Sequence, residues 1–153
     1  MGEPVTGSCR CGTVQLTIAA PQPLAHYCCH CHDCQKTTGS AFAEQVVVLS
    51  HLLTVDGETI DFVQPRPSGG VTTHRICPNC HTRVASTNSE RQGITIVKGG
   101  ALDDADLDTP VAHMWIKRKR AWVTLAEDAM VFDETPDTAG FTALLMPRLF
   151  AAK

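Results

Sequence analysis

Residues 26–49 read HYCCHCHDCQKTTGSAFAEQVVVL. The segment closes on Phe42–Leu49, a run rich in β-branched residues that fits a buried strand. It opens on Cys28, Cys29, Cys31 and Cys34, with His30, His32 and Asp33 among them. Cys31–Thr38 fits a short turn of helix, and Gly39–Phe42 equally a turn leading back into strand or a segment lying against whatever the cysteine group binds. Outward from here the strand signals repeat. Val14, Leu16 and Ile18 alternate with polar partners, the mark of a half-buried strand. Val71–Ile76, Arg83–Ser86, Ile94–Lys98, Met114–Ile116 and Trp122–Leu125 are further strands. Asp56-Gly57, between Leu52–Val55 and Glu58–Phe62, predicts a hairpin, because glycine accepts the positive φ of such turns. Asp103–Leu107 fits a second helical turn, and Gln64–Gly70 (QPRPSGG) a loop. The fold class expected is mainly β, a sandwich or open barrel with few short helices.

The chain has 153 residues, 43% apolar and 19% charged, with a net charge of −3. That suits one globular domain over 1–153 and excludes a disordered tail protein. The acidic balance provides no general field for nucleic acid. No apolar run reaches the roughly 18–20 residues a membrane helix needs, and no secretory signal is expected from the first residues, which lack an apolar core behind basic residues. A cytoplasmic setting is expected. After Asp128 the sequence turns irregular, and the extension 128–153, apolar at Phe141–Phe150, is expected to dock on the rest.

Eight cysteines fall into three tight groups: Cys9 and Cys11; Cys28, Cys29, Cys31 and Cys34; Cys77 and Cys80. Neighbours one to three residues apart rarely meet disulfide geometry but chelate a metal readily. The reading is metal in a reducing compartment. Cys9 and Cys11 at the start of a strand place both thiols on one face. Cys77-Pro78-Asn79-Cys80 is a two-residue knuckle. Together these four offer the closed tetrahedral thiolate set of structural zinc.

The middle group holds more ligands than one ion uses. Cys29, Cys31 and Cys34 form C-x-C-x-x-C, three ligands that leave a fourth position open, the pattern of catalytic zinc. The other arrangement adds Cys28 or a histidine and closes the site. Cys28 and His30 point away from the three cysteines in an extended segment, so Cys28 reads as a small apolar core residue. His32 and Asp33 are candidate proton donors, or outer-shell or solvent groups. His51, His74 and His113 carry no spacing signal. Lys117-Arg118-Lys119-Arg120, before Trp122, reads as a solvated turn, an anion-binding edge for substrate carboxylates at Lys117 and Arg118, or a nucleic-acid contact. No glycine-rich phosphate loop or G-x-S-x-G elbow is present.

GSCRCGTVQLTI, CHCHDCQKTTGSAFA, CPNCHTRVAS and HMWIKRKRAWV, in that order, resemble the glutathione-dependent formaldehyde-activating family, which includes centromere protein V, over about residues 6–123. The resemblance implies a β-tent fold of antiparallel sheets. It implies structural zinc on Cys9, Cys11, Cys77 and Cys80, and labile catalytic zinc on Cys29, Cys31 and Cys34. It further implies a carbon–sulfur lyase that adds the thiol of glutathione, its co-substrate, to formaldehyde, giving S-hydroxymethylglutathione. Two positions depart from the family pattern: His81 stands where glycine is usual, and Cys28 is extra.

The function expected is therefore a zinc-dependent enzyme joining a small-molecule thiol to a small aldehyde, with two Zn²⁺ ions and no nucleic-acid or membrane partner. The rival reading is a non-catalytic, zinc-stapled β binding module. A thiol redox protein is a third, for which the chain lacks the thioredoxin-like pattern.

Overall fold

The structure is a computed structural model that describes residues 3–20, 24–103, 107 and 109–149. In chain order the strands are β1 (Val5–Ser8), β2 (Gln15–Ile18), β3 (His26–Cys29), β4 (Ala43–Leu49), β5 (Leu53–Asp56), β6 (Ile60–Pro65), β7 (Val71–Ile76), β8 (Arg83–Asn88), β9 (Ile94–Lys98), β10 (Ala112–Met114) and β11 (Met130–Phe132). Helix α1 spans His32–Thr38 and α2 spans Thr138–Leu149. The described part of the chain is thus mainly β, as its sequence pattern predicts.

Two sheets form. The smaller has the order β1-β2-β5, and the larger β11-β10-β3-β4-β9-β8-β7-β6. The ladders are antiparallel except around β10, which runs parallel to both β3 and β11. Val5, Leu16 and Ile18 from the small sheet share one apolar cluster with Val46, Val48, Val84 and Val97 from the large one. On the other face of the large sheet, Tyr27, Cys29, Val47 and Met114 pack against Phe141 and Leu145 of α2. Strand β4 is therefore buried on both sides. Val46, Val47 and Val48 alternate between the two clusters, which is why that run is continuously apolar instead of alternating.

The C-terminal extension docks as a helix. The Phe141 ring meets Tyr27 edge-on at 5.7 Å, and the Arg91 guanidinium lies over the same ring, 4.1 Å from its centroid. Phe150 lies outside the described residues, as does most of the helical turn expected at Asp103–Leu107.

Four local expectations change. Asp56-Gly57 is not a hairpin turn: β5 pairs with β2, whereas β6 pairs with β7. The turn carries the chain from one sheet to the other. Gly57 is needed there, since its φ is +104° and a Cβ would stand 2.3 Å from the Thr13 carbonyl oxygen. The strand expected at Met114–Ile116 ends at Met114, because Trp115 adopts φ 60° and starts a 3-10 turn over Ile116–Arg118. Trp122–Leu125 forms no strand. The Val123 amide donates to the Arg120 carbonyl, and the Val123 carbonyl accepts from Lys119 Nζ, so its backbone closes a turn. Finally, Gln64 and Pro65 belong to β6, so the loop after them begins at Arg66.

Candidate metal centres

Cys9 and Cys11 lie in the turn between β1 and β2, not within a strand. Cys77 and Cys80 lie in the turn between β7 and β8. These turns belong to different sheets, and the four sulfurs still come within 4.8 Å of one another. The Cys9 and Cys11 sulfurs are 3.5 Å apart and those of Cys11 and Cys77 are 3.8 Å apart. That is far longer than a disulfide's roughly 2.05 Å, and all eight cysteines are free. Four soft donors, with no carboxylate in the group among the described residues, fit a closed zinc site that would clamp one sheet to the other.

Two threonines support this cluster. Thr13 Oγ1 is 3.1 Å from the Cys11 sulfur and 3.4 Å from that of Cys77. Thr82 Oγ1 accepts from the Arg10 amide at 3.1 Å, which leaves its proton for the Cys80 sulfur, also at 3.1 Å. The Thr13 hydroxyl is the main reason the Cys11 thiol is lowered to about 5, and Thr82 similarly brings Cys80 to about 7. Each threonine stands two residues after a cysteine, a spacing visible in the sequence. His81 adopts φ 60°, the left-handed conformation that suits glycine, so the turn keeps its shape without one.

Cys29, Cys31 and Cys34 form the second group, their sulfurs also within 4.8 Å of one another. Cys29 ends β3, Cys31 caps α1, and Cys34 sits one turn into it. The Cys31 sulfur accepts the Cys34 amide at 3.4 Å. Hydrogen bonds from Cys29, then Cys34, hold the Cys31 thiol far below its ordinary value, while the same contact with Cys31 raises Cys29. Cys29 is buried, whereas Cys31 and Cys34 are only half-buried and pack against the apolar cluster that holds Tyr27, Met114 and Phe141. No fourth cysteine and no histidine joins this group among the described residues.

Cys28 faces the other side of β3. Cross-strand register sets it between His113 of β10 and Glu44 of β4, and burial raises its thiol to about 12. His30 also turns away, fully buried, with Nε2 2.9 Å from His113 Nδ1. His32 and Asp33 are exposed on the first turn of α1. Gln35, one residue past Cys34, locks that helix in place. Its Nε2 donates to the carbonyls of His30 at 2.8 Å and Arg118 at 2.9 Å.

The basic run is a structured turn. Lys117 pairs with Glu134 and lies 5.0 Å above the Trp115 ring. Lys119 Nζ caps the Arg120 and Val123 carbonyls. Arg118 is exposed. A cation without a sequence signal stands closer to the sulfurs: Lys98 Nζ donates to Gln45 Oε1 at 2.7 Å, and Gln45 Nε2 donates to the Cys34 sulfur at 3.8 Å.

The profile of the family described as glutathione-dependent formaldehyde-activating enzyme matches residues 4–118. Among solved structures, a Rhodobacter sphaeroides protein is similar in fold, with a TM-score of 0.51 at 17% sequence identity over 65% of this chain and 88% of that one. No curated protein matches the chain.

Proposed function

The chain belongs to the glutathione-dependent formaldehyde-activating enzyme family, and on that premise we propose that it is a carbon–sulfur lyase joining glutathione or a similar thiol to a small aldehyde such as formaldehyde. The reading rests on one observation. Cys29, Cys31 and Cys34 gather three sulfurs where the other cluster gathers four, and two of the three reach the surface. In this proposal Cys9, Cys11, Cys77 and Cys80 hold a structural zinc and the triad holds a catalytic one. A zinc bound by three thiolates supplies an open position at which an incoming thiol is deprotonated at neutral pH.

The rest falls to the chain. A carbon–sulfur bond forms between the thiol sulfur and the carbonyl carbon, the carbonyl π bond breaks, and the thiol proton ends on the new hydroxyl. His32 or Asp33, exposed on the helix that carries Cys34, can return that proton to the oxygen. The apolar cluster of Tyr27, Met114 and Phe141, against which Cys31 and Cys34 pack, limits water on that side of the sulfurs. Of the cations expected to take the thiol's carboxylates, Lys117 is already paired with Glu134, which leaves Arg118. Both clusters need reduced thiols, consistent with a cytoplasmic setting. No helix among the described residues is long and apolar enough to cross a membrane.

Zinc analysis with glutathione titration tests the proposal. Two zinc ions per chain, one lost in Cys31→Ser, and a glutathione-induced change in the cobalt-substituted triad spectrum are expected. A triad spectrum unmoved by glutathione and other thiols would favour the binding module instead.

A further inference from the structure

Lys98 is half-buried at the end of β9. None of the ion pairs among the described residues includes it. An ammonium taken partly out of water is costly unless it is partnered, and its partner is the Gln45 amide oxygen at 2.7 Å. The contact between them is specific. Gln45 on β4 and Lys98 on β9 are cross-strand partners in register. An ammonium can only donate, so Lys98 claims the amide oxygen of Gln45 and turns the NH₂ group the other way. That NH₂ points to Cys34. Gln45 is itself buried, 8% exposed, so water does not compete strongly for the amide. The four-cysteine cluster is built differently, with the hydroxyls of Thr13 and Thr82 on its sulfurs.

We propose that Lys98 and Gln45 form a relay that supports metal binding at the triad: Lys98 orients the Gln45 amide, and the amide donates to the Cys34 sulfur and fixes its position as a ligand. This rests on the zinc reading of the triad given above. Three thiolates on a dication leave one surplus negative charge, and the ammonium offsets it. Lys98 is in this sense a positioning residue, acting on the metal through Gln45. Outer-shell partners of this kind are typically worth about 10–100-fold in metal affinity.

The experiment is zinc competition against a chromophoric chelator on the full chain, paired with the sulfur-to-metal charge-transfer bands of the cobalt-substituted protein. Lys98→Met and Gln45→Leu are expected to weaken zinc at the triad about 10–100-fold and shift the triad's charge-transfer band. Zinc at Cys9, Cys11, Cys77 and Cys80 should stay as tight as in the wild type. Lys98→Arg keeps a donor for the amide oxygen and should recover most of the loss. Wild-type affinity at the triad in both variants would overturn the relay. Equal weakening at both clusters would also overturn it, since the pair would then support the fold generally. If the wild type binds a single zinc, at the four-cysteine cluster, the zinc reading of the triad fails instead.

Discussion

Gln35→Glu keeps the shape of a buried side chain and replaces the NH₂ group with an oxygen. In the wild type both protons of that NH₂ are used, one on the His30 carbonyl at 2.8 Å and one on that of Arg118 at 2.9 Å. The substitution leaves two carbonyls facing a carboxylate oxygen. Each unpaired buried carbonyl costs about 1–3 kcal/mol. The His30 contact is buried and the Arg118 contact partly so, which places the sum near 3–4 kcal/mol. At this chain length about 2–4 °C is lost per kcal/mol, so the melting temperature should fall by roughly 10 °C. Gln35→Leu, which loses the bonds without adding charge, should be milder at pH 7. The pH dependence has a definite sign. Carbonyl neighbours and burial raise the folded pKa of the introduced carboxyl, because its protonated form regains a donor. The stability it contributes is therefore present at low pH and lost as pH rises through that folded value. Thermal melts of zinc-loaded protein between pH 5 and 8 test this, with chelator competition reporting triad affinity. If Gln35→Glu melts with the wild type at pH 7, or above Gln35→Leu, the reading of Gln35 as the lock on α1 is wrong.

Three further outcomes are expected. Gly57→Ala puts a Cβ 2.3 Å from the Thr13 oxygen at φ +104°; it should cost at least about 2 kcal/mol and loosen zinc at the four-cysteine cluster, read by melts and chelator competition. His81→Gly relieves a left-handed residue at φ 60°, and after the entropy lost by glycine it should stabilise the protein by about 0.5–1 kcal/mol, seen as a higher denaturant midpoint. Burial lowers His74 to about 4 from 6.5, so the unfolded chain takes up its proton first, and stability falls as pH drops across that window. Buried His30 and His113 act in the same direction, so the test is the difference in slope: His74→Gln should lose on the order of 1–2 kcal/mol less than wild type between pH 7 and 4, discounted for solvent screening.

Much of the candidate chemistry was legible because it is local. The partition of the cysteines follows from spacings of one to three residues, and both clusters assemble as expected. Strands such as Gln15–Ile18 and Ile94–Lys98 follow from alternation or β-branched content. The errors arose where a local signal was compatible with two partners. Asp56-Gly57 has the composition of a hairpin turn, but the flanking strands pair in different sheets. Trp122–Leu125 alternates like a strand, yet turn hydrogen bonds occupy the Val123 backbone.

Residue order alone thus determined which cysteines lie together, the mainly β class, and the turning of Cys28 and His30 away from the triad. Side-chain direction in an extended segment and the reach of a short turn are set by covalent geometry within a few residues. Only the tertiary structure decided that the four-cysteine cluster joins two sheets, that Lys117 is occupied by Glu134, and that Lys98 backs Cys34 through Gln45. These depend on strand register and on which faces pack. Both are settled by the burial of distant apolar residues against one another, which no short stretch of sequence contains.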